Sequence, residues 1–162
     1  AEKCEELFEI LLRAQSRNKF ILKVTEAPHY RRFLKERHER EKGRVKHAPG
    51  PAPVSGHGSV PLAQRGVNAG SGFLFVSHRG EIYPSGFLPF SAGNVRKDDV
   101  AEVYRNAPMF RALRDPEQLK GRCGECSFRT TCGGSRSRAY SLTGDWLGTD
   151  PWCAYQPAEA RA

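Results

Sequence analysis

The chain has 162 residues, 26 of them lysine or arginine against 18 aspartate or glutamate, giving a formal charge of +8 with 38% hydrophobic residues. That length allows one medium domain or two small units, each with an ordinary core. No apolar run approaches the ~20 residues that cross a bilayer, and no charged-then-apolar leader is visible. Composition therefore argues against a membrane protein and favours the cytoplasm.

The charge is uneven. Residues 1–68 hold 14 basic and 8 acidic residues, so six of the eight excess charges lie there, and nucleic acid has to be weighed as a partner. Against it, the run RRFLKERHEREKGRVK is interleaved with Glu36, Glu39 and Glu41, the pattern of a solvated helix face. The chain opens at Ala1 in what reads as mid-domain sequence, so it is expected to be a segment of something longer.

In chain order, residues 2–16 place Leu7, Ile10, Leu11 and Ala14 at helical spacing, with glutamates in the first turn, and predict a helix with that face buried. Phe20, Ile21, Leu22 and Val24 suit a buried strand, Pro28 breaks it, and Tyr30, Phe33 and Leu34 resume a helical pattern over 29–42. Helix, strand, helix is the rhythm of an α/β unit. Thr25, Glu26, His29 and Tyr30 follow the strand, at the edge where such folds keep their active sites, although ordinary loop packing is the default for all four. From Gly43 to Gly70 the sequence is rich in Pro, Gly and Ser and reads as a linker. Its His47 and His57 are taken as solvated.

A hairpin is expected next, with GFLFVS at 72–77, a turn at HRGE, and IYP closing it. Asp99, with Glu102 three residues on, marks a helix start with Val100, Val103 and Tyr104 facing inward. Pro108 opens a further short helix through Met109, Phe110 and Leu113.

The last block carries four of the five cysteines. Cys123 and Cys126 are three apart, Cys132 follows at six and Cys153 at twenty-one. Together they form a candidate metal or cluster site. Gly121, Gly124, Gly133 and Gly134 permit sharp turns and amide donation to sulfur. Arg122, Arg129, Arg136 and Arg138 bring positive charge expected to lower the thiol pKa values. Two disulfides fit poorly in a chain otherwise poor in cysteine. Spacing alone leaves zinc and iron-sulfur open. Whichever metal binds, it is expected to supply much of the folding free energy of this tail.

Three stretches, KVTEAPHYRR at 23–32, GFLFVSHRGEIYPSGFLPFSAGNVR at 72–96 and the cysteine block at 123–155, resemble the C-terminal part of radical S-adenosylmethionine (SAM) enzymes. The resemblance is to members with a SPASM or twitch-type auxiliary-cluster extension, in the branch that makes haem and haem d1. It implies an α/β (α+β overall) chain in three parts. Residues 1–42 correspond to the last helix, strand and helix of a partial (β/α) barrel, 43–70 to a linker, and 71–157 to a SPASM-like iron-sulfur domain. Cys123, Cys126, Cys132 and Cys153 match auxiliary-cluster ligands, which favours a single 4Fe-4S cluster over zinc. Relatives often have a cysteine after the hairpin proline, where this chain has Ser85 after Pro84, an ordinary turn serine by expectation. The CxxxCxxC loop that holds the SAM-cleaving cluster is not found in these 162 residues. Cys4 stands alone as a packing residue, and no catalytic residue is assigned to the isolated chain. In the full-length enzyme the resemblance implies SAM, a second 4Fe-4S cluster, an electron donor, and radical oxidation of a tetrapyrrole or peptide. The alternative is a non-catalytic zinc-ribbon-like module meeting nucleic acid or an acidic partner.

Overall fold

The computed structural model describes residues 1–17, 24, 27–44 and 67–157. Of the expected strand only Val24 falls among them, while Thr25, Glu26, His47 and His57 lie outside. The described chain is α+β, with helices around one small antiparallel sheet.

Helix α1 spans Glu2–Arg17, with Glu2 and Glu5 at its N-terminal turn and Arg17 in its last, complementing the helix dipole at both ends. Helix α2 spans His29–Arg44 and follows the break at Pro28. The two meet through Phe8, Tyr30 and Phe33, with Cys4, Leu11, Leu12 and Leu34 packed around them. The Phe8 ring centroid lies 5.0 Å from that of Tyr30 and 5.6 Å from that of Phe33. Burying a side chain of that size contributes about 1.5–3 kcal/mol.

This corrects the expected buried face. Leu7 is 49% and Ile10 62% exposed. The buried stripe is Cys4, Phe8, Leu11 and Leu12, still at helical spacing but turned toward the aromatic residues of α2. Cys4 packs there, as expected of it.

The hairpin forms where the alternation and turn residues place it. Strands β1 (Phe75–Val76) and β2 (Glu81–Tyr83) pair antiparallel, with Phe75 opposite Tyr83. Ser77 Oγ accepts from the Arg79 and Glu81 amides, closing the turn. A third strand, β3 (Gly93–Asn94), pairs with the other edge of β2 and was not expected. Ile82 is thereby fully buried in the central strand.

Asp99 caps α3 (Val100–Asn106), its side chain accepting from the Glu102 amide at 2.7 Å. Pro108 begins α4 (Pro108–Arg114). Leu113 joins Ala69 and Leu88 in the core of this unit, and Phe110 is fully buried. Asn68, Ala69 and Gly70, at the end of the expected linker, are buried too. The Asn68 amide donates to Gly134 O at 2.6 Å, so the chain enters this unit by fastening onto the cysteine block.

A 3₁₀ turn at Pro116–Gln118, capped by Asp115, delivers α5 (Gly121–Glu125). The return from Cys132 to Cys153 is more than a loop, since it contains α6 (Arg136–Thr143), capped by Ser135 and stopped at Gly144 in the left-handed conformation. No helix among the described residues is long and apolar enough to cross a membrane.

Candidate metal centre

Helix α5 carries Cys123, and Cys126 sits at its C-cap. The next turn brings round Cys132, and the segment after α6 returns with Cys153. It is held back onto α5 by the Lys120 amide on Leu147 O at 2.9 Å and the Arg122 amide on Thr149 Oγ1 at 3.1 Å. All four cysteines line one cavity. Arg32, Arg122, Phe128, Arg129, Asp150 and Tyr155 complete much of its wall. The structure thus brings together all four residues that spacing singled out. Among the described residues, no three His, Cys, Asp or Glu side chains are placed to hold one metal ion.

Each sulfur receives a backbone amide. Phe128 N–H donates to Cys126 Sγ at 3.4 Å, Gly134 N–H to Cys132 Sγ at 3.3 Å, and Asp150 N–H to Cys123 Sγ at 3.3 Å. The Tyr155 amide serves Cys153. Three of the four come from two residues further along the chain, a turn that curls the backbone around its own sulfur. Gly134 makes one such turn possible, because its φ is +61° and a Cβ there would lie 3.1 Å from Cys123 Sγ and 2.9 Å from Asp150 Cβ.

Against the expected lowering, the thiol pKa values of Cys126, Cys132 and Cys153 are raised. Burial pushes Cys132 up to about 12, against the smaller opposing effect of the Gly134 amide. Burial also raises Cys126 and Cys153, outweighing the amides and the nearby Arg32. Desolvation of a small anion exceeds what fixed donors return. Four thiols that line one cavity with aimed amide donors suit a ligand that brings its own positive charge.

The arginines divide by role. Arg136 is fully buried and donates to the carbonyls of Gly134 (3.3 Å), Trp146 (3.2 Å) and Gly148 (2.8 Å), with Nη2 at 3.5 Å from Cys123 Sγ. Among the described residues no carboxylate pairs with it. A buried guanidinium so placed calls for negative charge, and the nearest source is a thiolate. Arg138 instead grips Asp150, at 2.7 and 2.6 Å. Burial opposes ionisation of Asp150, but Arg138 and the Ser135 amide outweigh it and hold the carboxyl below its usual range. Arg129 pairs with Glu117, and Arg122 reaches Cys153 O at 3.4 Å.

His29 and Tyr30 are buried at the start of α2. His29 Nδ1 accepts from Arg138 at 3.4 Å and lies 4.0 Å from Asp150. Burial lowers its pKa to about 4, despite the pull of Asp150, so it is neutral at pH 7 and that proximity is no ion pair. Ser85 is buried outside the cavity, where it accepts from the Phe87 amide at 3.2 Å as a turn serine.

Among the wall residues that escaped sequence reasoning, Arg32 and Asp150 carry charge. Arg32 lay in a charged run that reads as solvated, yet its side chain is 4% exposed. Asp150 sits three residues before Cys153, and that spacing was the signal available to find it.

A family model described as an iron-sulfur cluster-binding domain, SPASM, matches residues 68–127 and so takes in Cys123 and Cys126. An AdoMet-dependent heme synthase from Methanosarcina barkeri is 41% identical over 145 residues, which is 90% of this chain and 39% of that protein. Another of the same name, from Oleidesulfovibrio alaskensis, is 33% identical over 162 residues, 100% of this chain and 40% of its own length. A pre-heme d1 synthase from Dinoroseobacter shibae is 36% identical over 114 residues, 67% of this chain and 28% of the relative. The chain thus spans two fifths or less of these curated relatives. With the cysteine spacing, the domain match and these relatives agreeing, the chain belongs with the radical SAM enzymes that carry a SPASM domain, in the branch that includes the heme synthases.

Proposed function

We propose that Cys123, Cys126, Cys132 and Cys153 hold one 4Fe-4S cluster, and that this chain is the auxiliary-cluster portion of a radical SAM oxidoreductase acting on a tetrapyrrole or a peptide. The observation that carries it is that four thiols, each with its own amide donor, line one cavity. The buried Arg136, with no carboxylate partner among the described residues, suits the net negative charge of a four-thiolate site. The match to an iron-sulfur cluster-binding domain, rather than charge, favours a cluster over a mononuclear zinc module.

When bound, the cluster supplies one-electron redox chemistry. The residues of this chain hold it, donate to its ligands through amides and Arg136, and cover it with Phe128 and Tyr155. Residues 1–42 are read as the end of a partial barrel and 71–157 as the cluster domain, joined by 43–70. The SAM-cleaving cluster belongs, on this reading, to another part of the enzyme, and the tetrapyrrole preference rests on the names of the relatives in the heme branch.

Anaerobic reconstitution with iron and sulfide tests the proposal. Four irons and four sulfides per chain, with a brown chromophore that bleaches in air, are expected. Colourless protein with one tightly held zinc overturns it.

A further inference from the structure

We infer that Arg32 tunes the reduction potential of the cluster and makes that potential depend on α1, a helix that does not line the cavity. The inference rests on the cluster reading above. Arg32 leaves α2 and reaches the cavity wall ninety-one residues before Cys123. Its guanidinium carbon lies 5.5 Å from the centroid of the Tyr155 ring, another wall residue, and the Tyr155 ring in turn meets Phe128 edge-on at 5.1 Å. One terminal nitrogen pairs with Glu5 of α1 and the other with Glu36 at 2.9 Å. Its Nε–H is buried and has no partner among the described residues.

The same side chain also borders an open groove lined with Glu5, Glu9, Glu36 and Arg37. Among the described residues, Arg32 and Tyr155 alone are common to the linings of these two spaces. They partition the thiol cavity from a charged, solvent-open groove.

Reducing a cluster adds one negative charge. A desolvated cation beside it favours the reduced form, and a carboxylate that neutralises the cation weakens that effect. Removing Arg32 therefore lowers the potential, whereas removing the charge of Glu5 raises it. A purely structural salt bridge produces no such opposition of sign, since breaking it from either end only loosens the fold.

The test uses the 162-residue chain, reconstituted anaerobically, as wild type, Arg32→Gln, Arg32→Lys and Glu5→Gln, with iron content and an EPR-monitored redox titration for each. Arg32→Gln is expected to lower the reduction equilibrium constant about tenfold, equivalent to ~59 mV for one electron. Arg32→Lys, which keeps the charge, stays within about twofold of wild type, and Glu5→Gln rises about two- to threefold. The Glu5 effect is the smaller because its side chain is 27% exposed and so partly screened. An unchanged potential in Arg32→Gln at full iron content, or shifts of the same sign in Arg32→Gln and Glu5→Gln, overturns the inference and leaves the cluster reading standing. If Arg32→Gln takes up too little iron, a Glu5→Gln rise supports the inference, and its absence defeats it. Wild-type protein that takes up no iron defeats the cluster reading and this inference with it.

Discussion

The α1–α2 pair and the cysteine block solve the problem of burial in opposite ways. The pair buries Phe8, Tyr30 and Phe33 against one another and arranges its charges around that core, as in Arg37 with Glu9 and Arg40 with Glu36. The block from 131 to 150 buries Thr131, Ser135, Arg136, Ser137 and Asp150, with Ala139 its fully buried apolar side chain. Apolar contact is what water itself drives together. A core of guanidinium, carboxylate, hydroxyl and thiol holds only if every partner is present. The first region is held mainly by apolar contact, although it also buries His29 and Arg32, whereas the second, on the cluster reading, is complete only with what fills the cavity.

The largest expected effect follows directly. Removing iron from the reconstituted chain with a chelator should strip protection from the amides of 123–153 in hydrogen exchange by at least a hundredfold, because structural metals supply on the order of 10 kcal/mol to such sites. The amides of α1 should change far less. Phe8→Ala should invert the pattern, costing about 3–5 kcal/mol in the helix pair while iron content stays near wild type. Equal loss of protection in both regions under chelation breaks the contrast.

How much of this was legible depends on which force a residue answers to. The hairpin, the Asp99 cap and the Pro108 start were readable because turn residues and caps act within a few positions. The four cysteines were readable as a set because thiol spacing is rare in a cysteine-poor chain. The face of α1 was misread, since Leu7 and Leu11 fit the same period and only the partner, α2, decides which stripe is covered. Strand β3 is two residues long and includes a glycine, too short for any alternation to register. Arg32 was hidden because its neighbours do form the expected i,i+4 pairs, such as Arg37 with Glu41, so the run looks solvated throughout. The thiol pKa values went the wrong way because charge counts along a sequence carry no information about desolvation.

The two regions touch where His29 meets Arg138 and Asp150, and pH should separate them there. The folded pKa of His29 is about 4, pushed down chiefly by burial, against 6.5 in the unfolded chain. Between those values the unfolded state binds more protons, so stability is full above pH 6.5 and falls as the pH drops toward 4. The whole window is worth on the order of 3 kcal/mol. Asp150, whose carboxyl is held low, loses its contribution only below its unfolded value of 3.8, outside that window. Urea midpoints of wild type and His29→Gln from pH 7 to 5 should therefore converge as the pH falls, and reading the difference cancels any acid lability of the cluster. Parallel curves place the unfavourable protonation elsewhere.

The smallest effect probes a part of the molecule that belongs to neither extreme. Asp99 accepts from the Glu102 amide at 2.7 Å and is exposed, so it meets neither the aromatic core nor the thiol cavity. Its contribution is local, one otherwise unpaired donor at the start of a seven-residue helix. Asp99→Ala should cost about 1 kcal/mol of unfolding free energy, and Asp99→Asn much less, because a side-chain oxygen restores the acceptor. Iron content and redox potential should not move in either variant. A loss of iron in Asp99→Ala would mean that α3 and α4, through Phe110 and Leu113, hold the cluster cavity in shape, so that the apolar core and the thiol site are one cooperative unit rather than two.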